Sequence, residues 1–217
     1  MVTVPCLVTV AAGVFAPGHL GELTRYLPFE LVDDVLEMTG AVQQRMRMLP
    51  SRVGVYFLLA MTLFPGIGYL RVRDKMTAAL GGLDLPRPSE KALRDLRRRI
   101  GPAPVKALFE TIAVPLASPQ SPGVTYRGLR TVAFDGLNSV KVPDSDRNRS
   151  WLGKVRRHLG LAGNRYPTMR IVAPAETGTR GLLGAVIGAK GDRNESPLAR
   201  KLVPLLGEGM LALADRA

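Results

Sequence analysis

The feature of this sequence that most restricts its fold is a change of hydrophobic periodicity around residues 115–124. Before this point apolar residues recur at helical spacing, and after it they form short β-type runs. The segment between the two patterns is rich in proline and serine, which is typical of a boundary between domains. We therefore predict an α+β chain, with a helical region over residues 1–118 and an α/β domain over residues 125–217.

Within the helical region, glycine and proline separate the segments from one another. Ser51 is placed to cap a helix over Arg52–Phe64, and Ser89 is placed to cap one over Lys91–Ile100. A Gly-Pro pair at residues 101–102 then breaks the chain. The helices on either side of this turn suit a DNA-binding helix-turn-helix or an ordinary bundle, and the sequence leaves both open. Further helices are expected over Glu30–Met38, Tyr69–Leu80 and Pro104–Val114.

After the boundary we expect strands and one helix. Two short strands, Thr131–Phe134 and Ser139–Val142, are predicted to be joined by a turn. Ser196 and Pro197 are typical of a helix start, and Pro204 should kink or end that helix. The other predicted strands are Met169–Ala173, Leu182–Ala189 and the buried-type Met210–Ala214. A sheet that stopped after this strand would expose an edge, so we expect an incomplete α/β domain.

The balance of charge points to a polyanionic partner. The chain has 30 basic and 18 acidic residues, which gives a net charge of +12. Such a surplus favours nucleic acid first and an anionic membrane surface second, although a solvated basic face is the ordinary alternative. Two clusters, dense in basic residues and largely unopposed by acids, are the predicted DNA contacts: Arg94, Arg97, Arg98 and Arg99 in the first, and Lys154, Arg156 and Arg157 in the second.

Cysteine content and apolar runs indicate the compartment. Cys6 is the only cysteine, so an internal disulfide is impossible, and with two histidines it makes no zinc site. The apolar run Val53–Phe64 is short of the ~20 residues that span a bilayer. Residues 1–16 are apolar but follow no basic segment, which argues against a signal peptide. We expect a cytoplasmic protein with no membrane association.

Two aspartates are the candidate catalytic and metal-binding residues. Asp135 follows an apolar strand, and Asp215 ends another. Carboxylates at the ends of neighbouring strands could bind Mg²⁺ or Mn²⁺, because Mg²⁺ prefers carboxylate and water oxygens. On spacing alone, an aspartate in such a position is more often a turn or capping residue. Asp144 and Asp146 are likewise better explained by a turn than by a metal.

Several segments resemble insertion-sequence-four type transposases. GVFAPGHLGELTRYLPFELVDDVL and SEKALRDLRRRIGPAPVKALFETIA resemble the N-terminal region of that family. TVAFDGLNSVKVPDSDRN is similar to the segment with the first catalytic aspartate, and GMLALADRA to the segment with the second. The resemblance covers nearly the whole chain. It implies a ribonuclease-H-like core with an Asp-Asp-Glu triad and two divalent metals, in which Asp135 and Asp215 take the first two positions.

The third carboxylate of the implied triad should follow Asp215, and this sequence has no glutamate there. Glu176, Glu195 and Glu208 all precede it, and Glu195 is better placed to interact with a helix N-terminus. We therefore expect a transposase fragment that binds element ends and target DNA, is inactive alone, and belongs to a homo-oligomer when full-length. The alternatives are a non-catalytic or inhibitory DNA-binding module and a different ribonuclease-H-type nuclease.

Overall fold

The computed structural model describes residues 20–45, 47–80, 82–118, 120–153, 166–189, 192 and 194–215. The chain divides into two compact units, Met1–Phe109 and Glu110–Ala217. In the described residues the first unit is helical and the second contains a sheet, so the predicted mixed α+β class is confirmed. No helix in the described part of the chain is long and apolar enough to cross a membrane.

The helices of the first unit follow the apolar pattern closely. They are α1 (Leu20–Tyr26), α2 (Phe29–Met38), α3 (Ser51–Leu63), α4 (Tyr69–Met76), α5 (Glu90–Ile100) and α6 (Ala103–Ile112), the last of which continues into the second unit. The helix expected over Tyr69–Leu80 ends at Met76, and a short 3₁₀ segment, Ala78–Leu80, replaces its last turn. Gly101 ends α5 with a φ of 68°, a conformation that glycine adopts without the strain a Cβ would cause.

Serine behaves differently at the two helix starts where it was predicted to cap. The Ser89 hydroxyl accepts a hydrogen bond from the Ala92 amide at 3.2 Å, so this cap is confirmed. The predicted Ser51 cap is wrong, because Pro50 occupies the N-cap position and Ser51 is the first helical residue. A hydroxyl inside the helix cannot accept from the first turn in the way an N-cap residue does.

The core of the first unit forms where α2, α3, α4 and α5 meet. Its buried members include Val35, Tyr56, Phe57, Val72 and Leu96. The Tyr56 hydroxyl donates to the Leu27 carbonyl at 2.5 Å, which satisfies the polar end of a buried ring. Burial raises the pKa of Tyr56 to about 12. The helical unit therefore has a core of its own, as a separate domain requires.

The second unit is built around one long strand. Its elements are β1 (Thr125–Tyr126), β2 (Leu129–Lys141), α7 (Asp146–Leu152), β3 (Thr168–Glu176), β4 (Val186–Gly188), α8 (Glu195–Leu202) and β5 (Met210–Ala214). The strand character predicted for Thr131–Phe134 and for most of Ser139–Val142 is confirmed, but the turn predicted between them is wrong, since β2 is continuous from Leu129 to Lys141. The first three residues of the Asp-Gly-Leu-Asn segment pair with β3, which keeps them extended. The register is irregular between Leu137 and Val140, so the deviation from regular pairing occurs within the strand, as in a β-bulge.

The sheet is antiparallel except at one edge. β2 pairs with β1 and β3, and β3 with β4, in antiparallel register. β5 runs parallel to β2 from Arg130↔Met210 to Phe134↔Ala214. The strand predicted over Leu182–Ala189 is shorter, because only Val186–Gly188 and an isolated bridge at Leu182 pair with β3. A parallel return after a helix is the connection that the order of strands and helix predicts.

Helix α8 starts earlier than predicted and covers part of the sheet. Asn194 is the N-cap, so Pro197 is the third helical residue and Ser196 does not cap. The α-helix ends before Pro204, in a 3₁₀ segment over Val203–Leu205, as that proline predicted. Leu198 and Leu202 bury against Val172. The buried character predicted for β5 is wrong, because most of its residues are exposed at an edge.

A buried carboxylate fixes the end of β3. Glu176 is fully buried and forms an ion pair with Arg130 of β2. It also accepts hydrogen bonds from the Thr179 hydroxyl and, at 2.9 Å, from the Ala117 amide. Burial raises the pKa of Glu176, but these three donors outweigh it and hold the net pKa below its ordinary value. The network joins the segment before β1 to β2 and β3.

Candidate functional site

Asp135 lies in the middle of β2, at a regular position of the ladder. Its Cα partner across β3 is Ala173, and its own side chain accepts a hydrogen bond from the Gly136 amide at 2.7 Å. The side chain is exposed. Because the backbone on one side is held by β3, the position of this carboxylate is fixed by the sheet instead of by a flexible turn.

Asp215 lies beside Asp135 because of the parallel pairing. The last paired residues of β2 and β5 are Phe134 and Ala214; Asp135 is the next residue of β2, and Asp215 directly follows the end of β5. Paired strands lie about 4.8 Å apart, and residues in register point to the same face, so the two backbones present the aspartates side by side. The structure shows that the two strands are neighbours, while the placement of the two carboxylates at one site and their role in metal binding stay predictions.

Both aspartates line a cavity of about 190 Å³ beside the start of α8. Carboxylate, hydroxyl and apolar groups share its wall. The lining residues are Phe134, Asp135, Gly136, Val172, Glu195, Ser196, Ala199, Ala214 and Asp215. The cavity therefore combines a pair of strand-borne carboxylates with a third carboxylate from the first turn of a helix.

Glu195 reaches this cavity because Gly136 has no side chain. A Cβ at residue 136 would collide with the Glu195 carboxylate, so the glycine after Asp135 makes room for it. The same carboxylate accepts a hydrogen bond from the Asn138 amide nitrogen, and Asn138 in turn accepts from Arg170 Nε at 2.7 Å. Arg170 also donates to the Asp192 carbonyl at 2.6 Å. These bonds attach the N-terminal turn of α8 to β2 and β3.

The aspartate pair has the chemistry that a divalent cation requires. Mg²⁺ is commonly bound through one or two carboxylates, with water and substrate phosphates completing its shell. Asp135 and Asp215 supply two such carboxylates on a rigid support. Within the described residues, no group of three or more acidic, histidine or cysteine side chains lies close enough together to hold a metal. The chemistry of the two carboxylates is therefore that of Mg²⁺ ligands, and water and substrate oxygens would have to supply the rest of the shell.

The arginine cluster of α5 is not unopposed by acids, which corrects the prediction. Arg94 lies 3.6 Å from Glu90, and Arg98 lies 3.7 Å from Asp95. Each pair lies one turn apart on the same helix, where opposite charges meet. The two remaining members contact other groups: Arg97 donates to the Tyr69 hydroxyl at 2.8 Å, and Arg99 donates to the Leu49 carbonyl at 2.6 Å.

The second predicted cluster, Lys154, Arg156 and Arg157, lies outside the described residues. Just before it, Ser145 caps α7, and Asp144 and Asp146 both pair with Arg149. Asp144 thus lies directly before the cap of α7 and Asp146 in its first turn, so the two aspartates, which were expected to form a turn, flank a helix start instead. Trp151, which could either stack on DNA or anchor packing, is about half exposed in α7.

Sequence reasoning missed how Glu195 and Gly136 meet. The two residues are far apart in the chain, and Glu195 was expected only to interact with a helix N-terminus. Its place at the first position of α8 agrees with that expectation, since a carboxylate there is favoured by the helix dipole. The Asp-Gly sequence at residues 135–136 was the available signal, because a glycine within a strand often marks a close approach by another group.

The fold and site define an α+β chain that joins an arginine-rich helical unit to a sheet bearing paired aspartates. Residues 17–110 match the model of the insertion element 4 transposase N-terminal region. With the relatives below, this match confirms the resemblance. Residues 17–110 are therefore similar to the N-terminal region of insertion element 4 transposases, and most of the chain is similar to two transposases.

Two proteins of Escherichia coli (strain K12) are similar to this chain. "Putative transposase InsZ" is 26% identical over 191 residues, which cover 88% of this chain and 62% of that protein. "Transposase InsG for insertion sequence element IS4" is 28% identical over 197 residues, which cover 91% of this chain and 43% of that protein. The chain thus spans about half the length of these relatives. No solved structure matches it.

Proposed function

We propose that this chain acts in DNA transposition, binding element-end DNA through its helical unit and a divalent metal through Asp135 and Asp215. The observation that carries the proposal is the parallel register of β2 and β5, which aligns two aspartates from distant parts of the sequence. The similarity to transposases supports DNA as the partner and Mg²⁺ or Mn²⁺ as the cofactor. The proposed domain division is a helical region over residues 1–118 and a catalytic region over 125–217.

The strand arrangement supports a ribonuclease-H-like core for the second region. The antiparallel strands β1 to β4 are followed by α8 and by the parallel strand β5, with a carboxylate on the long strand β2 and another directly after β5. A metal at this pair would polarise a phosphodiester oxygen and help to generate the attacking oxygen. Asp135 and Asp215 would hold it, and the sheet would keep the two carboxylates oriented.

A direct test measures Mn²⁺ binding to the 217-residue chain by electron paramagnetic resonance of the free ion. We expect Asp135→Asn and Asp215→Asn each to weaken binding at least about tenfold, because each removes one anionic ligand. Asp146→Asn is the matched control, since its fully exposed side chain pairs with Arg149 away from the cavity. Unchanged Mn²⁺ affinity in both site variants would overturn the metal assignment.

DNA binding requires its own measurement, by fluorescence anisotropy with labelled duplex at several salt concentrations. Phosphate contacts make log affinity fall with log salt, by about 0.9 for each phosphate neutralised. Affinity that does not change between low and moderate salt would contradict an electrostatic DNA surface. This result is independent of the metal measurement, so the two halves of the proposal can fail separately.

A non-catalytic DNA-binding role is the second candidate. It is favoured by the absence of a three-ligand group within the residues that the structure describes. Incubating the chain with supercoiled DNA and Mn²⁺ separates the two functions. Nicking by the chain that is lost in Asp135→Ala supports the enzyme, and DNA binding without nicking supports the module.

A further inference from the structure

We propose that a pocket at the start of α3 binds a backbone phosphate of DNA. This inference rests on the proposed DNA binding by the helical unit. The pocket has a volume of about 380 Å³ and is formed by the loop before α3 together with the last turn of α5. Its lining residues are Gly40, Ala41, Val42, Gln43, Gln44, Arg45, Arg47, Ser51 and Arg99.

Three arginines supply the positive charge of this pocket. Arg45 and Arg47 come from the loop and Arg99 from α5, and no acidic residue lines the pocket in the described part of the chain. Burial, and then the positive charge of Arg47, lower the pKa of Arg99. Two guanidinium groups that repel one another without a carboxylate between them favour an anion, because it neutralises both.

The N-terminus of α3 adds donors to this charge. Pro50 occupies the N-cap position, so the N-cap residue itself supplies no side-chain acceptor to the thirteen-residue helix. The Ser51 amide donates to Gln43 Oε1 at 2.7 Å, which anchors the loop over the helix start. The remaining amides of the first turn and the positive end of the helix dipole favour a phosphate at this position.

Ser51 provides the independent observation that points to a ligand. Its side chain is 1% exposed, and its hydroxyl has no hydrogen-bond partner within the described structure. A buried hydroxyl without a partner is costly, and such groups call for an explanation such as a bound ion. A phosphate oxygen in the pocket that Ser51 lines would accept the hydrogen bond that this hydroxyl lacks.

Arg99 differs from the other arginines of α5 in that most of its N–H donors remain available for a ligand. Arg94 and Arg98 are next to acids, and Arg97 contacts Tyr69. Arg99 uses one N–H toward the Leu49 carbonyl at 2.6 Å, and a guanidinium has five N–H groups. We therefore assign the phosphate contact within this arginine cluster to Arg99, and not to its acid-paired members.

The test uses two probes, inorganic phosphate and labelled duplex DNA, on the full 217-residue chain. We expect phosphate to raise the melting temperature of the wild type and to do so less for Arg47→Gln and Ser51→Ala. Ser51→Ala without phosphate should be as stable as the wild type or more so, because it removes an unsatisfied buried hydroxyl. A merely structural role for Ser51 would instead lower stability and leave the phosphate response unchanged, which would overturn the proposal.

The DNA arm compares Arg47→Gln with Arg71→Gln, which removes the same charge from the exposed face of α4 outside the pocket. We expect Arg47→Gln to flatten the log–log salt slope by about 0.9 and Arg71→Gln to change it less. Equal effects of both variants would overturn the pocket as a specific contact. Stabilisation by phosphate in a chain that does not bind duplex would support the pocket as a phosphate site and overturn the proposed DNA function.

Discussion

Replacing Glu176 with alanine should destabilise the sheet unit more than any surface charge change. The carboxylate is fully buried and receives bonds from Arg130, Thr179 and the Ala117 amide. The substitution leaves the Arg130 guanidinium without its anion and the Ala117 amide without its acceptor. Removing one member of a buried ion pair typically costs about 3–5 kcal/mol, because the remaining charge is uncompensated.

The expected loss is at the lower end of that range. The Arg130 side chain is 26% exposed, so water partly solvates it after the carboxylate is removed. We therefore expect a loss of about 3 kcal/mol in the free energy of unfolding of the second unit. With a urea m value of about 2 kcal/mol/M, the unfolding midpoint should fall by about 1.5 M.

Trp151 makes the measurement specific, because it is the only tryptophan and lies in the second unit. Its fluorescence should follow urea unfolding of that unit in the wild type and in Glu176→Ala. Asp146→Asn, in the same unit, is the control, since its fully exposed pair with Arg149 should contribute little to stability. A midpoint in Glu176→Ala that lies as close to the wild-type midpoint as that of the control would refute the assigned role of the buried pair.

The same residue predicts a dependence on pH. The pKa of Glu176 is held below its ordinary value in the folded chain, so its contribution is present above the unfolded pKa of about 4.3. It should be lost as pH falls below that value and through the folded pKa. Glu176→Gln should lose less stability than the wild type between neutral pH and pH ~3. Equal losses in the two proteins would contradict this linkage.

Two glycine substitutions test close approaches in the two units. In Gly54→Ala the new methyl would lie 2.8 Å from Ile100 Cγ1 and 2.9 Å from Leu96 Cδ1. Overpacking typically costs ~1–3 kcal/mol, which should exceed the ~1 kcal/mol gained in helix propensity. Thermal unfolding should therefore show a net loss of stability of about 1 kcal/mol. A gain in stability would contradict the close contact. Gly136→Ala should displace the Glu195 carboxylate and speed amide hydrogen exchange in the first turn of α8. Unchanged exchange there would show that Glu195 does not hold this turn to β2.

Local sequence was sufficient for most helices and for the strand that carries Asp215. Ser89, Gly101 and Pro204 mark their boundaries through interactions within a few residues, so the predictions at these positions are confirmed. It was not sufficient for β2, because the Asp-Gly-Leu-Asn segment has local turn character while hydrogen bonds to β3 hold it extended. Pairing partners that are distant in the chain decide such segments.

By itself, the sequence determined the α+β class, the change from helix to sheet and the basic character, because these depend on composition and short-range spacing. The two candidate aspartates were indicated by the resemblance to transposases. Only the tertiary structure decided that Asp135 and Asp215 are neighbours, that Glu195 lies over Gly136, and that Arg47, Ser51 and Arg99 line one pocket. Each group joins residues from distant parts of the chain (Arg99, for example, is far from both Arg47 and Ser51), and the register of strands and the packing of helices bring them together. No local pattern encodes that proximity, since it arises only when the chain has folded.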